Sequence, residues 1–252
     1  MIGVPNYPYK GTTTRIRVVI PVAAHPAIGK KIHANQDFMN TVIVDDHELM
    51  RELLRKCCST VAGLNVVGEA GSGQDAVRVV LQERPELLLL DLSLPDFSGF
   101  RVLRTLREAD FLPRCVLLVS GHCNDLVVFL AEQANVQGFL CKTAATMDGV
   151  CQAIRDVAEG RLYWSPSFIE IRDERRGNPD AFDKVLSERE VLILTLCGSL
   201  LTDEEIGKRL GITTDTATKH RANIYRKLNI TTRLDLIRFA HDHGFYDARM
   251  VL

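Results

Sequence analysis

One tryptophan, nine prolines and no apolar run near the ~20 residues that cross a bilayer are what this chain of 252 residues has least of. No membrane partner is therefore expected. The most apolar amino-terminal stretch, 15–24 (RIRVVIPVAA), is short, holds Pro21 and lacks a convincing cleavage site, which argues against a secretory signal. Net charge is nearly absent too: 31 Lys and Arg stand against 32 Asp and Glu. That balance excludes a globally basic, polymer-coating protein while leaving room for a local basic face. The seven cysteines are scattered, with Cys57 and Cys58 adjacent and no C-x-x-C pair. They read as reduced thiols used as small core residues, with neither a disulfide framework nor a zinc site, and point to a cytoplasmic protein. Internal repeats and low-complexity tracts are missing.

What is present has the length of about two domains. Residues 1–40 are rich in Gly, Pro, Thr and Asn without a sustained period, so a poorly ordered extension is expected, dispensable ahead of Met39. From 41 to 160 short apolar runs alternate with helical patterns. The runs are 41–44, 65–68, 87–90, 116–119 and 138–141; the helical stretches are 47–61, 73–83, 99–109, 125–134 and 146–159. Runs so uniformly apolar fit strands buried on both faces, hence a flavodoxin-like, doubly wound α/β domain with a five-stranded parallel sheet. Its ligand site belongs at the carboxyl ends of the strands. Residues 161–183 mix Pro, Gly and clustered charge and read as a linker, with 172–177 solvated. An all-α unit over 184–252 follows, with four helices at 187–198, 202–210, 213–228 and 231–243, each opening on a Ser or Thr suited to cap it.

The strand at 41–44 runs into Asp45 and Asp46, and the strand at 87–90 into Asp91. In a parallel sheet these ends open on one side, where crowded carboxylates raise one another's pKa unless a cation neutralises them. An all-oxygen set suits Mg²⁺. Two further strand ends supply Ser120, a hydroxyl, and Lys142, a point charge suited to phosphate. Singly these are weak signals, since Asp45 or Asp46 also fits a helix cap. Jointly they form a kit for moving a phosphoryl group onto a carboxylate, a reaction carried by positioning and charge neutralisation.

Asp45-Asp46, the stretch 90–99 (LDLSLPDFSG), 119–121 (VSG) and 138–143 (GFLCKT) together resemble the receiver domains of two-component response regulators over 41–160. The resemblance implies that Asp91 accepts phosphate from a sensor histidine kinase. It implies that Asp45, Asp46, Asp91 and the carbonyl of Ser93 bind Mg²⁺, and that Ser120 and Lys142 contact the phosphoryl group. Phe139 stands at the family's switch aromatic, so Ser120 and Phe139 form the expected relay. Ser98 and Leu94 depart from the usual acid and Met without touching the chemistry.

In 213–228 helical spacing puts Ala217, Ile224 and Leu228 on one face, and Asp215, Lys219, Ala222 and Arg226 on the opposite one. With the preceding helix and the turn at Gly211-Ile212 this makes a helix-turn-helix suited to a major groove. The span 186–230 resembles the LuxR-type helix-turn-helix of the NarL/FixJ regulators, carried by Arg189-Glu190, Glu205-Ile206, Arg209-Leu210-Gly211-Ile212, Lys219-His220-Arg221 and Lys227-Leu228. Leu200 replaces a usual glycine. The resemblance implies base reading by Thr218, Lys219 and Ala222, the last able to offer only apolar contact. Thr202, Thr216, Arg221 and Arg226 are the implied phosphate contacts. The last helix carries two apolar stripes; one, Leu234 with Ile237, is expected to serve a homodimer. The expectation is a transcription factor and not an enzyme: a response regulator whose DNA binding follows phosphorylation. The rival is a phosphorylation-independent factor using the receiver as a dimerisation or partner-binding module, against which the intact acidic pocket speaks. A phosphatase or other haloacid-type enzyme lacks support, because no second nucleophile–acid pair follows Asp91 and the helix-turn-helix would be unexplained.

Overall fold

Uniformly apolar strands need covering on both sides, and the chain supplies helices in alternation with them. A computed structural model describes residues 38–251. The expectation of a poorly ordered extension over 1–40, dispensable ahead of Met39, falls on residues outside these except for Phe38 and for Met39 and Asn40, which belong to the first strand. In order come β1 (Met39–Val44), α1 (Glu48–Thr60), β2 (Leu64–Ala70), α2 (Gly73–Glu83), β3 (Leu87–Asp91), α3 (Gly99–Glu108), β4 (Cys115–Ser120), α4 (Asp125–Ala134), β5 (Gly138–Cys141), α5 (Met147–Ala158) and β6 (Tyr163–Trp164). The sheet is parallel throughout, with strand order β2-β1-β3-β4-β5-β6. Its doubly wound architecture is the one read from the sequence, extended by a sixth, two-residue strand.

Period-two alternation divides the strands between two cores. On one face Ile43, Leu87, Leu89, Leu117 and Val119 pack with Leu54 of α1 and Ile154 of α5. On the other, Val42, Val44, Leu88, Leu90, Leu118 and Phe139 meet α2, α3 and α4. This second core continues through Phe168 and Phe182 into the carboxy-terminal helices.

That continuity overturns the picture of 161–183 as a plain linker. Residues 166–177 form α6 (Pro166–Gly177), followed by the short α7 (Phe182–Val185). Far from solvated, Arg175 is buried, its guanidinium bonded to Glu132 of α4 and Asp183 of α7, and lying over the Phe129 and Phe182 rings. Local charge density suggested solvent; partners distant in sequence supply the counter-charge that makes burial tolerable.

The all-α unit comprises α8 (Glu188–Gly198), α9 (Asp203–Leu210), α10 (Thr214–Lys227) and α11 (Arg233–Asp242). Ser187, Thr202 and Thr213 cap the first three as expected, while α11 takes Thr232, not Thr231. Capping boxes with Glu190 and Glu205 close α8 and α9. Gly211, at φ +64°, ends α9 and turns the chain into α10. Leu200 sits where the resemblance places glycine, and the backbone adopts the left-handed conformation regardless, at φ +65°. Hydrogen bonds from Leu200 N–H to Cys197 and from Leu201 N–H to Leu196 hold the paired-carbonyl stop that usually selects glycine.

The Leu200 side chain is 62% exposed, so little is lost by removing it. Leu200→Gly is expected to stabilise the helical unit by about 1 kcal/mol, through relief of the left-handed penalty. Denaturant unfolding of the two chains checks this; a lower midpoint for the glycine variant would contradict it.

Candidate functional site

The register of β1 with β3, which pairs Val44 with Leu90, sets the residues just past those positions side by side. Asp45 and Asp91 are both buried there, at 0% and 2% exposure. Two buried carboxylates demand positive charge. It comes from Lys142, directly after β5, whose Nζ lies 2.6 Å from Asp45 Oδ2 and 2.8 Å from Asp91 Oδ2. Burial works against the ammonium, yet the two carboxylates outweigh it and hold the Lys142 pKa above the ordinary lysine value. Asp91 goes the same way for the opposite reason: burial dominates, Lys142 only partly offsets it, and its pKa lies above that of an ordinary aspartate.

Asp46 is exposed, and its carboxylate lies 2.7 Å from His47 Nδ1. One ligand atom each from Asp45, Asp46, His47 and Asp91 falls within 4.8 Å of the others. The carboxylate oxygens among them fit a hard divalent cation; His47, the member the sequence reading missed, offers nitrogen and fits one poorly. Its adjacency to the acid pair was visible, but nothing in the pattern distinguished it from the first residue of a helix. Asp45 also accepts the His47 N–H at 3.0 Å, but His47 is the N-cap of α1 and no side chain caps that helix, so the capping role weighed for Asp45 or Asp46 is not the one they take.

The loop after Asp91 is held tightly. Ser93 N–H donates to Asp91 Oδ1 at 3.1 Å. Asp96 accepts N–H groups of Gly73 and Gln74 at the start of α2, at 2.7 and 2.8 Å, and of Phe97. Although burial opposes it, these bonds keep the Asp96 pKa below the usual carboxylate range. Gly99 starts α3 so close to β3 that a Cβ there would lie 2.4 Å from the Asp91 carbonyl oxygen, which excludes any side chain. Ser120, at the end of β4, is fully buried and its Oγ accepts the His122 N–H at 3.1 Å. Phe139 is fully buried as well, its ring 5.1 Å from Phe168 of α6, which stacks on Trp164 at 4.6 Å. The strand ends thus bring Asp45, Asp91 and Lys142 into contact, with Asp46, Ser93 and Ser120 around them.

The second candidate surface is α10. Lys219, Ala222 and Arg226 are exposed on it, and Ala217 and Ile224 are buried against the helical core. Thr202 and Thr216 lie near the start of α9 and α10, their hydroxyls engaged with Glu205 and Thr213. Asp203 gathers two of the expected contacts: Thr218 Oγ1 donates to it at 2.7 Å and Arg221 Nη2 at 2.6 Å. Arg221 therefore fastens α10 to α9 by an ion pair, a role its place in the sequence did not suggest. On α11, Leu236 and Ala240 are buried, whereas Leu234 is 56% exposed and Ile237 half-buried.

Residues 41–155 match the family described as the response regulator receiver domain, and residues 184–240 the luxR family of bacterial regulatory proteins. The transcriptional regulatory protein MctR of Rhizobium johnstonii is 30% identical over 207 residues, covering 82% of this chain and 94% of that protein. The response regulator protein VraR of Staphylococcus aureus is 28% identical over 208 residues, covering 82% and 98%. Among solved structures, RcsB of Salmonella enterica serovar Typhimurium, bound to promoter DNA in the presence of phosphomimetic BeF₃⁻, aligns with a TM-score of 0.57 at 20% identity over 80% of this chain and 97% of that one. At that identity the likeness concerns the fold. A LuxR-family two-component response regulator from Aurantimonas aligns at 27% identity with a TM-score of 0.51, over 56% of this chain and 99% of that one.

Because the Asp91 pKa is raised, the folded chain binds that proton more tightly than the unfolded one. Its stability contribution is full below the unfolded pKa and is lost as pH rises through the folded pKa. Asp91→Asn, which keeps the shape without the charge, is expected at neutral pH and without divalent cations to raise the melting temperature. The gain should be about 2–4 °C, the shift that ~1 kcal/mol produces in a chain of 150–250 residues. It should vanish in acid. Melting curves at both pH values check the sign.

Proposed function

The chain belongs to the two-component response regulators that join a receiver to a LuxR-type DNA-binding domain, and from that premise we propose how its own residues divide the work. Asp91 is the phosphoryl acceptor. Its carboxylate oxygen takes the phosphoryl group from a phosphohistidine of a sensor kinase: the P–N bond breaks, an acyl phosphate forms, and the imidazole leaves. Asp45, Asp46, Asp91 and the Ser93 carbonyl hold Mg²⁺, which supplies charge neutralisation for the incoming phosphoryl oxygens. Lys142 already lies against Asp91 and is placed to follow the new negative charge. Ser120 approaches the phosphoryl group with its hydroxyl, and Phe139 answers the space it leaves. The carrying observation is the contact of Lys142 with both buried carboxylates in a chain that also presents an exposed DNA-reading helix.

The kinase meets the side of the pocket bounded by α1, where a groove beside Asp91 and Ser93 is lined by Leu49, Met50 and Leu53. Leu49 is 79% exposed at its rim, apolar surface suited to a partner helix. In the other half, α10 enters the major groove of double-stranded promoter DNA. Thr218, Lys219 and Ala222 face base edges; Thr202, Thr216 and Arg226 face phosphates, and Arg221 braces α10 from behind through Asp203. Leu234 and Ile237 form the stripe on which two copies pair.

Phos-tag electrophoresis with acetyl phosphate and Mg²⁺ is expected to show one shifted species for wild type and none for Asp91→Ala. DNA binding should respond to the donor in wild type alone; identical binding in every sample would favour the phosphorylation-independent rival. Arg226→Ala is expected to weaken binding similarly on all sequences and to flatten the log K against log salt slope by about 0.9, one phosphate contact. A change confined to one base position would reassign Arg226 to base reading.

A further inference from the structure

Two of the free thiols meet a thioether at the seam between α1 and α5. Met147 and Cys151 stand four residues apart at the start of α5, which puts both side chains on one face of that helix. That face packs on α1, where Cys57 is fully buried. Cys57 Sγ lies 3.8 Å from Met147 Sδ and 3.9 Å from the Met147 carbonyl oxygen, and its thiol also interacts with that of Cys151. Met147 is 36% exposed and Cys151 half-buried, so the sulfur set is reachable from solvent on the α5 side.

Disulfide chemistry suits this set poorly. Burial first, and then Cys151, push the Cys57 thiol up to about 12, so little thiolate is available to attack an oxidant. Metal coordination is not blocked in this way, because a bound cation displaces thiol protons. The donor set then selects the metal. Thiol and thioether sulfurs are soft ligands and favour Cu(I) over hard cations. Zn²⁺ wants four ligands drawn from thiolate, imidazole and carboxylate. Among the described residues no third group of those kinds joins Cys57 and Cys151 within ligand range. A thioether in third place fits three-coordinate Cu(I) instead. Metal–sulfur bonds of about 2.3 Å in a planar three-coordinate site separate the sulfurs by about 4 Å. The Cys57–Met147 pair already has that spacing.

We propose that Cys57, Met147 and Cys151 form a binding site for one Cu(I) ion, distinct in chemistry from the all-oxygen acidic pocket. The ion enters as Cu⁺ and no electron changes hands. Two thiol protons leave to solvent, while two copper–thiolate bonds and one copper–thioether bond form. The product carries one negative charge, which the positive amino-terminal end of α5 favours. Since α1 follows Asp46 and His47, and α5 follows Lys142, the ion fastens together the two helices that lead away from the acidic pocket.

The full chain, reduced and kept free of oxygen, is titrated against the coloured Cu(I)–bicinchoninate complex. The samples are wild type, Cys57→Ala, Cys151→Ser, Met147→Leu and, as a half-buried thiol outside the set, Cys123→Ala. Circular dichroism melts first confirm folding. Wild type should withdraw one equivalent of copper, and X-ray absorption should show three sulfurs at about 2.3 Å. Cys57→Ala and Cys151→Ser should lose that equivalent. Met147→Leu should bind at least about tenfold more weakly, and Cys123→Ala should match wild type. With free Cu(I) at about 100 times the Kd, wild type should melt about 5–10 °C higher than without copper, and Cys151→Ser should not. No withdrawal by wild type, nitrogen or oxygen ligands in place of the three sulfurs, or an equal loss in Cys123→Ala would overturn the site. Full binding retained by both Cys151→Ser and Met147→Leu would do the same. Should Cys57→Ala fail to fold, those two variants, at positions open to solvent, carry the test alone.

Discussion

A lysine ammonium shared by two buried carboxylates is the contact on which the rest of the molecule turns. Asp45 and Asp91 are out of water and close together, an arrangement that costs several kcal/mol per ion unless opposite charge and hydrogen bonds compensate. Lys142 compensates incompletely, which is why Asp91 is held above its ordinary pKa even with the ammonium beside it. The site therefore has unmet demand for positive charge, of a kind that a divalent cation would answer. Replacing Lys142 would leave two buried carboxylates without a counter-charge, whereas replacing either carboxylate leaves Lys142 paired with the other, so the trio is bound together by electrostatics and only secondarily by shape.

The constraint reaches outward because the groups sit at the ends of rigid strands. Ser120 and Lys142 leave adjacent strands, paired Ser120 with Cys141, so a shift of one is felt by the other. Phe139 lies on the same strand as Cys141 and packs on Phe168, which in turn stacks on Trp164. A ring buried in this way cannot move without moving α6. Behind it Arg175 ties α6 to Glu132 of α4 and to Asp183, and its Nε has no hydrogen-bond partner among the described residues. Such a partly satisfied buried network is sensitive to small displacements. The segment between the two halves thus behaves as a shared wall of both, packed on the same core.

Much of this was legible along the chain because the signals were local. Apolar runs of four or five residues ending in Asp45, Asp91, Ser120 and Lys142 fixed both the strands and the residues at their tips, and helix ends followed Ser and Thr caps. What stayed illegible depended on partners far away in sequence. Nothing near Arg175 announces that Glu132 and Asp183 will neutralise it, so Arg175 read as solvent-facing along with its exposed neighbours Asp173, Glu174 and Arg176, and α6 went unseen. Arg221 looked like a phosphate contact on a cationic face until Asp203, on the preceding helix, was found to take its charge. The return of His243 to Asp125 joins residues 118 positions apart, beyond the reach of any periodicity.

The pairing of Arg221 with Asp203 also bears on how DNA binding can be switched at all. Salt-dependent affinity grows with the number of phosphates neutralised. With Arg221 committed internally, the exposed cations along α10 reduce to Lys219, Arg226 and Lys227, and Lys227 is itself bonded to Glu190. A net charge of −1 adds no general attraction. One copy therefore offers DNA few such contacts, and two paired copies would roughly double them. When a single copy binds weakly, controlling whether two can pair amounts to controlling occupancy of the site. A receiver that holds its helical half in one orientation has that control without ever touching the reading helix.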